Sequence, residues 1–127
     1  MEPVVYPIRL TAPAIEDIEQ AVTYLSESAG EIIAEEWQTG LFEVLRKIAT
    51  FPRSNNLARE NRYLSGEIRQ IVYRRRPGAV AYRVLFTLVE KEDDPPFVRV
   101  LHIRHGARRP MTRSEAAERN RATDESL

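Results

Sequence analysis

Val80-Ala81-Tyr82-Arg83-Val84-Leu85-Phe86-Thr87-Leu88-Val89 is an unbroken β-forming run without glycine or proline. Branched and aromatic residues of this kind fit a pleated surface better than a helix. Side chains alternate along a strand, so Val80, Tyr82, Val84, Phe86 and Leu88 share one side and are expected to pack on a core. Ala81, Arg83, Leu85 and Thr87 share the other side, and Arg83 is expected to project from an uncovered face. Upstream lies a second run, Ile68 to Arg74, joined through the turn Arg76-Pro77-Gly78. On that strand Arg69, Ile71 and Tyr73 are expected to share the face of Arg83. Downstream, an acidic link from Glu90 to Asp94 leads into Phe97 to Arg104. Successive strands with short links make an antiparallel meander.

Further out, the N-terminal side turns helical. Val4 to Leu10 reads as a first strand, with Pro7 favouring a sheet edge. Thr11 is placed to cap a helix, Pro13 fits its first turn, and Glu16 and Asp17 suit the positive end of its dipole. Ile15, Ile18, Val22, Leu25 and Ala29 then recur at helical spacing until Gly30. A second helix runs from Glu31 to Phe51, with Ile33, Trp37, Leu41, Val44, Ile48 and Phe51 on its apolar face, and Pro52 stops it. Helices joined at a single glycine fold back on each other. Arg53 to Glu67 is polar and reads as a loop. The expected fold is α+β, with an antiparallel two-helix hairpin packed on one face of a twisted, mainly antiparallel four-stranded sheet whose first strand is added at an edge.

The length of 127 residues fits one domain, residues 1–110. The polar stretch 111–127 reads as a weak helix or disordered tail. No run approaches a membrane span, Met1-Glu2-Pro3 does not begin a secretory signal, and a cytoplasmic location is expected. With no cysteine there is no thiol chemistry. The net charge of zero hides a segregation: residues 1–67 carry 6 basic and 11 acidic side chains, residues 68–113 carry 11 and 4, and residues 114–127 carry 2 and 4. Ten of the middle block's cations are arginine, whose planar fork suits phosphates and carboxylates. An anionic partner follows, either nucleic acid or an acidic protein segment.

In their order and spacing, Arg9-Leu10-Thr11, Glu67-Ile68-Arg69-Gln70-Ile71, Ala81-Tyr82-Arg83-Val84-Leu85 and Val100-Leu101-His102-Ile103-Arg104-His105-Gly106-Ala107-Arg108 resemble the RelE/ParE toxin superfamily over roughly residues 4–110. The resemblance implies the toxin of a bacterial type II toxin–antitoxin pair. It also implies an antitoxin that neutralises the toxin in a hetero-oligomer and through which operator DNA is bound. ParE-like members act on DNA gyrase, whereas RelE-like members are metal-independent, ribosome-dependent mRNA endoribonucleases. A degenerate relative that only binds an antitoxin is the third reading.

Metal-free RNA cleavage needs a base, cations around the phosphorane and an acid. Glu60 or Glu67 are the candidate bases, Arg69, Arg83 and Arg108 the phosphate-holding cations, and His105 the acid. Binding candidates are Arg69, Tyr73, Arg83, Arg104, Arg108 and Arg109. Nuclease members of that superfamily often place a tyrosine or lysine cluster near the active centre, whereas here no tyrosine follows Tyr82 and the lysines are Lys47 and Lys91. The His-Gly-Ala-Arg ending and long hairpin are more similar to ParE, so a gyrase inhibitor is the leading expectation. Plainer readings stand beside these: His105 as a turn residue, Glu67 as a cross-strand partner, and Arg74-Arg75-Arg76 as a solvated hairpin tip. His102 and His105 are expected on opposite strand faces, and neither a metal site nor a cofactor is expected.

Overall fold

The alternation and the helical stripes are realised in a computed structural model that describes residues 4–58 and 67–105. Its elements are β1 (Ile8–Leu10), α1 (Ala12–Ala29), α2 (Glu31–Thr50), a 3-10 turn at Pro52–Ser54, β2 (Arg69–Arg74), β3 (Ala81–Lys91) and β4 (Asp94–His105). The sheet order is β1-β4-β3-β2, with β1 parallel to β4 and the other pairs antiparallel. The expected α+β architecture is therefore present, β1 at one edge included.

Local chemistry explains the boundaries. Thr11 caps α1 by accepting the Ala14 N–H at 3.2 Å, and its hydroxyl hydrogen is shared between the Val100 and Leu101 carbonyls, each 3.0 Å away. Gly30 takes φ 98°, a left-handed conformation that favours glycine, and there α1 turns directly into α2. The first strand is shorter than the expected Val4 to Leu10. The Tyr6 N–H donates at 2.9 Å to Ala49 O, an otherwise orphaned carbonyl near the end of α2, and Pro7 has no N–H to give. At the other hairpin the acidic link is mostly strand, because pairing continues to Lys91 and Asp94 and leaves only Glu92-Asp93 as the turn.

Core packing rotates the expected helix stripes slightly. In α1 the residues nearest the sheet are Ala14, Ile18 and Ala21, while Ile15, one step around the helix, is 44% exposed. Short alanines let the helix approach the sheet. In α2, Trp37, Leu41 and Ile48 are buried as expected, joined by Ala34 and Leu45, whereas Phe51 lies beyond the helix and is exposed. Trp37 anchors the centre. Its ring meets Tyr82 edge-on at 5.0 Å and Tyr73 at 5.9 Å, and Tyr82, Val84, Phe86, Val98, Val100 and Ile103 complete the main core beneath the helices. From the expected inward set, Val80 precedes the strand and is exposed.

Two contacts make this packing testable. A Cβ on Gly40 would overlap the Tyr73 hydroxyl, which donates to Trp37 O at 2.7 Å. Gly40→Ala is expected to destabilise by about 1–3 kcal/mol despite alanine's better helix propensity. Tyr73→Phe in the same chain is expected to recover part of that loss, as thermal melts of the three variants will show. Thr11→Val removes a cap and a buried donor together, and denaturant unfolding is expected to show a loss of about 2–3 kcal/mol.

Candidate functional site

Register decides which arginines meet. In the β2–β3 pair Arg69 stands opposite Phe86, Ile71 opposite Val84 and Tyr73 opposite Tyr82. Directly opposed residues share a side of the sheet. Arg69, Ile71 and Tyr73 therefore lie on the helix-covered side and Arg83 on the reverse, which overturns the expected pairing of Arg69 with Arg83. The cause is turn length. Six residues separate the closing pair Arg74 and Ala81, so odd positions of β2 oppose even positions of β3, and a one-residue change of register exchanges every face.

Tyr73 is consequently a core residue, with its phenol pushed above the usual value by burial; Arg75 lowers it and Glu43 raises it. Arg69 is held by the Asn55 carbonyl and by Glu67. Glu67 thus takes the role of a local ion-pair partner in the structure.

The reverse face carries a different set of cations. Arg83 opposes Arg104, Arg99 opposes Thr87, and Arg9 opposes Arg99 across the parallel pair. Arg74, at the end of β2, lies on the same side. This face is not bare. Ala58, Ile68, Leu85 and Leu101 form a second small core on it, and Arg83 and Arg104 are only 9% and 3% exposed. Arg83 donates to the Gln70 side chain at 3.0 Å. The expectation of an open surface at Arg83 and Arg104 is corrected accordingly, because apolar packing closes the middle of the sheet. Arg74 is exposed at the hairpin end of this face and Arg9 at the β1 end, where Arg9 lies over the Phe97 ring at 4.1 Å and the half-buried Arg99 at 5.6 Å. With Lys91 and Asp94, Arg9, Phe97 and Arg99 line a cavity of about 270 Å³.

His105 lies on the helix side, opposite Tyr82 and edge-on to its ring at 5.4 Å. It borders a cavity of about 370 Å³ together with Asp17, Gln20, Tyr24 and Tyr82. No arginine lines that cavity among the described residues. Asp17 accepts the Ile103 N–H at 2.9 Å and lies 4.0 Å from His102 Nδ1, a placement that sequence spacing does not signal across 86 positions. Glu60, Arg108, Arg109 and the stretch 111–127 lie outside the described residues. Among the described residues, no helix is long and apolar enough to cross a membrane.

A helical hairpin on one side of a β1-β4-β3-β2 sheet, with arginines gathered on the reverse, defines an α+β protein of the RelE/ParE class. Over residues 8–110 the sequence matches the family model described as the ParE toxin of type II toxin-antitoxin system, parDE. The chain belongs to that family and is a type II toxin, which implies an antitoxin as its partner. No curated protein matches it by sequence.

Burial raises the Tyr82 phenol above 10.0, with a smaller contribution from Tyr24. Below that pH both folded and unfolded chains hold the proton, and stability is unaffected. Above it the unfolded chain ionises first, so stability is lost as pH climbs through the folded value. Thermal midpoints are expected to stay level to about pH 9 and to fall beyond pH 10, less steeply in Tyr82→Phe.

Proposed function

We propose that this toxin arrests growth by binding DNA gyrase in the cytoplasm and does not cut RNA. The supporting observation is the separation of the cleavage candidates among the described residues. Arg69 is engaged beside Glu67, Arg83 is buried on the reverse face, and His105 lies across the sheet from it near α1. A metal-free cleavage requires base, cation and acid converging within hydrogen-bond reach of one phosphate. The sheet divides Arg83 from Arg69 and His105, so these groups do not converge on one phosphate. The absence of tyrosine after Tyr82 and the scarcity of lysine support the same reading.

The solvent-facing cations then serve recognition of a protein surface. Arg9 at one end, and Arg74 and Arg76 at the hairpin tip, carry charge that steers an acidic partner and fixes its orientation. Purified toxin is expected to inhibit gyrase supercoiling at stoichiometric concentrations, and addition of the antitoxin is expected to restore it. Translating ribosomes incubated with the toxin are expected to show no new mRNA ends. Supercoiling untouched at saturating toxin would sink the gyrase reading, and new mRNA ends lost in Arg83→Ala would replace it with ribonuclease action.

A further inference from the structure

Asp17, Gln20 and Tyr24 recur at helical spacing on α1 and form one stripe, which faces Tyr82 of β3 and His105 of β4 across the cavity of about 370 Å³. Ala21, the buried residue of that stripe, is too short to fill the space. Tyr82 carries the decisive observation. It is 6% exposed, and its hydroxyl makes no hydrogen bond among the described residues, unlike that of Tyr73, which donates to Trp37 O at 2.7 Å. A buried phenol normally has a partner. Here its oxygen opens onto the cavity, near enough to Tyr24 for that phenol to oppose its ionisation.

The other groups define the ligand. The Asp17 side chain is 10% exposed, and the Ile103 N–H at 2.9 Å and His102 Nδ1 at 4.0 Å hold its carboxylate in place beside the aromatic rings. Gln20 donates its amide N–H to Glu16 at 3.2 Å, which keeps its own carbonyl as an acceptor and a second carboxylate at the rim. No arginine or lysine lines the space among the described residues. Negative charge in a partly dehydrated site selects a cation, and the faces of aromatic rings add to the attraction. A nucleotide's base could stack there equally well, but its phosphate is repelled by the same carboxylates. Among cations a guanidinium fits best, because it is planar, lies flat on a ring and offers a fork of donors to carboxylate and phenol oxygens.

We propose that the cavity between α1, the start of β3 and the end of β4 is a binding site for a guanidinium group on a slim aliphatic stem. Asp17 and the Tyr82 hydroxyl receive the cation, and the rings of Tyr24 and His105 flank it. A small free compound and an arginine side chain of a protein share this chemistry. The site lies on the opposite side of the sheet from Arg83 and Arg104 and is independent of the gyrase reading.

The test titrates the full-length chain with butylguanidinium near neutral pH and follows the rings of Tyr24 and Tyr82 by nuclear magnetic resonance. Saturable binding with a Kd of about 1 mM or tighter is expected. The neutral isostere butylurea and the nucleotide guanosine monophosphate are each expected to bind at least about tenfold more weakly. Tyr24→Ala and Tyr82→Phe are expected to weaken binding about threefold to tenfold and Asp17→Asn about tenfold or more, with thermal melts verifying that each variant is folded. A capped Gly-Arg-Gly peptide separates the two sources: affinity equal to that of butylguanidinium assigns the pocket to a protein's arginine, and affinity about tenfold lower assigns it to a free compound. Butylurea binding as tightly as butylguanidinium would overturn the proposal, as would guanosine monophosphate displacing the cation, or unchanged affinity in both tyrosine variants. Absence of any binding would overturn it too, as would contacts between residues 106–127 and the rings of Tyr24 and Tyr82 in the free chain, which would give the pocket to the chain itself.

Discussion

The hydroxyl of Thr11 holds the start of α1 against the Val100 and Leu101 carbonyls, where β4 changes its register. Leu85 opposes His102 while Phe86 opposes Val100, so Leu101 is an extra residue in the strand, a β-bulge. Before it Val98 and Val100 point into the main core, and after it Ile103 does. A strict two-residue period continued from Val98 would have turned Arg104 toward the helices in place of Ile103. The bulge keeps that guanidinium on the reverse face, opposite Arg83. Helix start, bulge and charge distribution are in this way one arrangement, and Asp17 braces it from α1 by accepting the Ile103 N–H.

From that arrangement follows a sheet with unequal faces. The helix side is filled around Trp37 by aromatic and branched side chains and by close approach at Gly40. The reverse side mixes a small apolar cluster with arginines, two of them largely buried. A buried guanidinium is tolerated only where polar groups meet its donors, as Gln70 meets Arg83. Charge is left available where packing is thinnest, at the β1 edge and the β2–β3 hairpin tip.

Much of the fold was legible along the chain. Thr11, Gly30 and Pro52 mark the helix ends by local chemistry, and the alternation of Tyr82, Val84 and Phe86 marks the buried side of β3. The candidate site was less legible. Arg69 and Arg83 each lie on a strand, as read, but whether they share a face depends on the register of β2 against β3. Arg9 and Arg99 escaped notice as a pair because their meeting depends on the parallel partnership of β1 with β4.

The sequence by itself determined the element types, their order, the capping residues and the apolar half of each helix and strand. These follow from periodicity and from chemistry acting over a few neighbouring residues. The tertiary structure alone decided which cations are neighbours, which of them are sealed, and which strands form the sheet edges. Those outcomes turn on register, on one bulged residue and on a contact spanning most of the chain. A change of a single residue in pairing reverses a strand's faces without altering its composition, so local pattern cannot fix them.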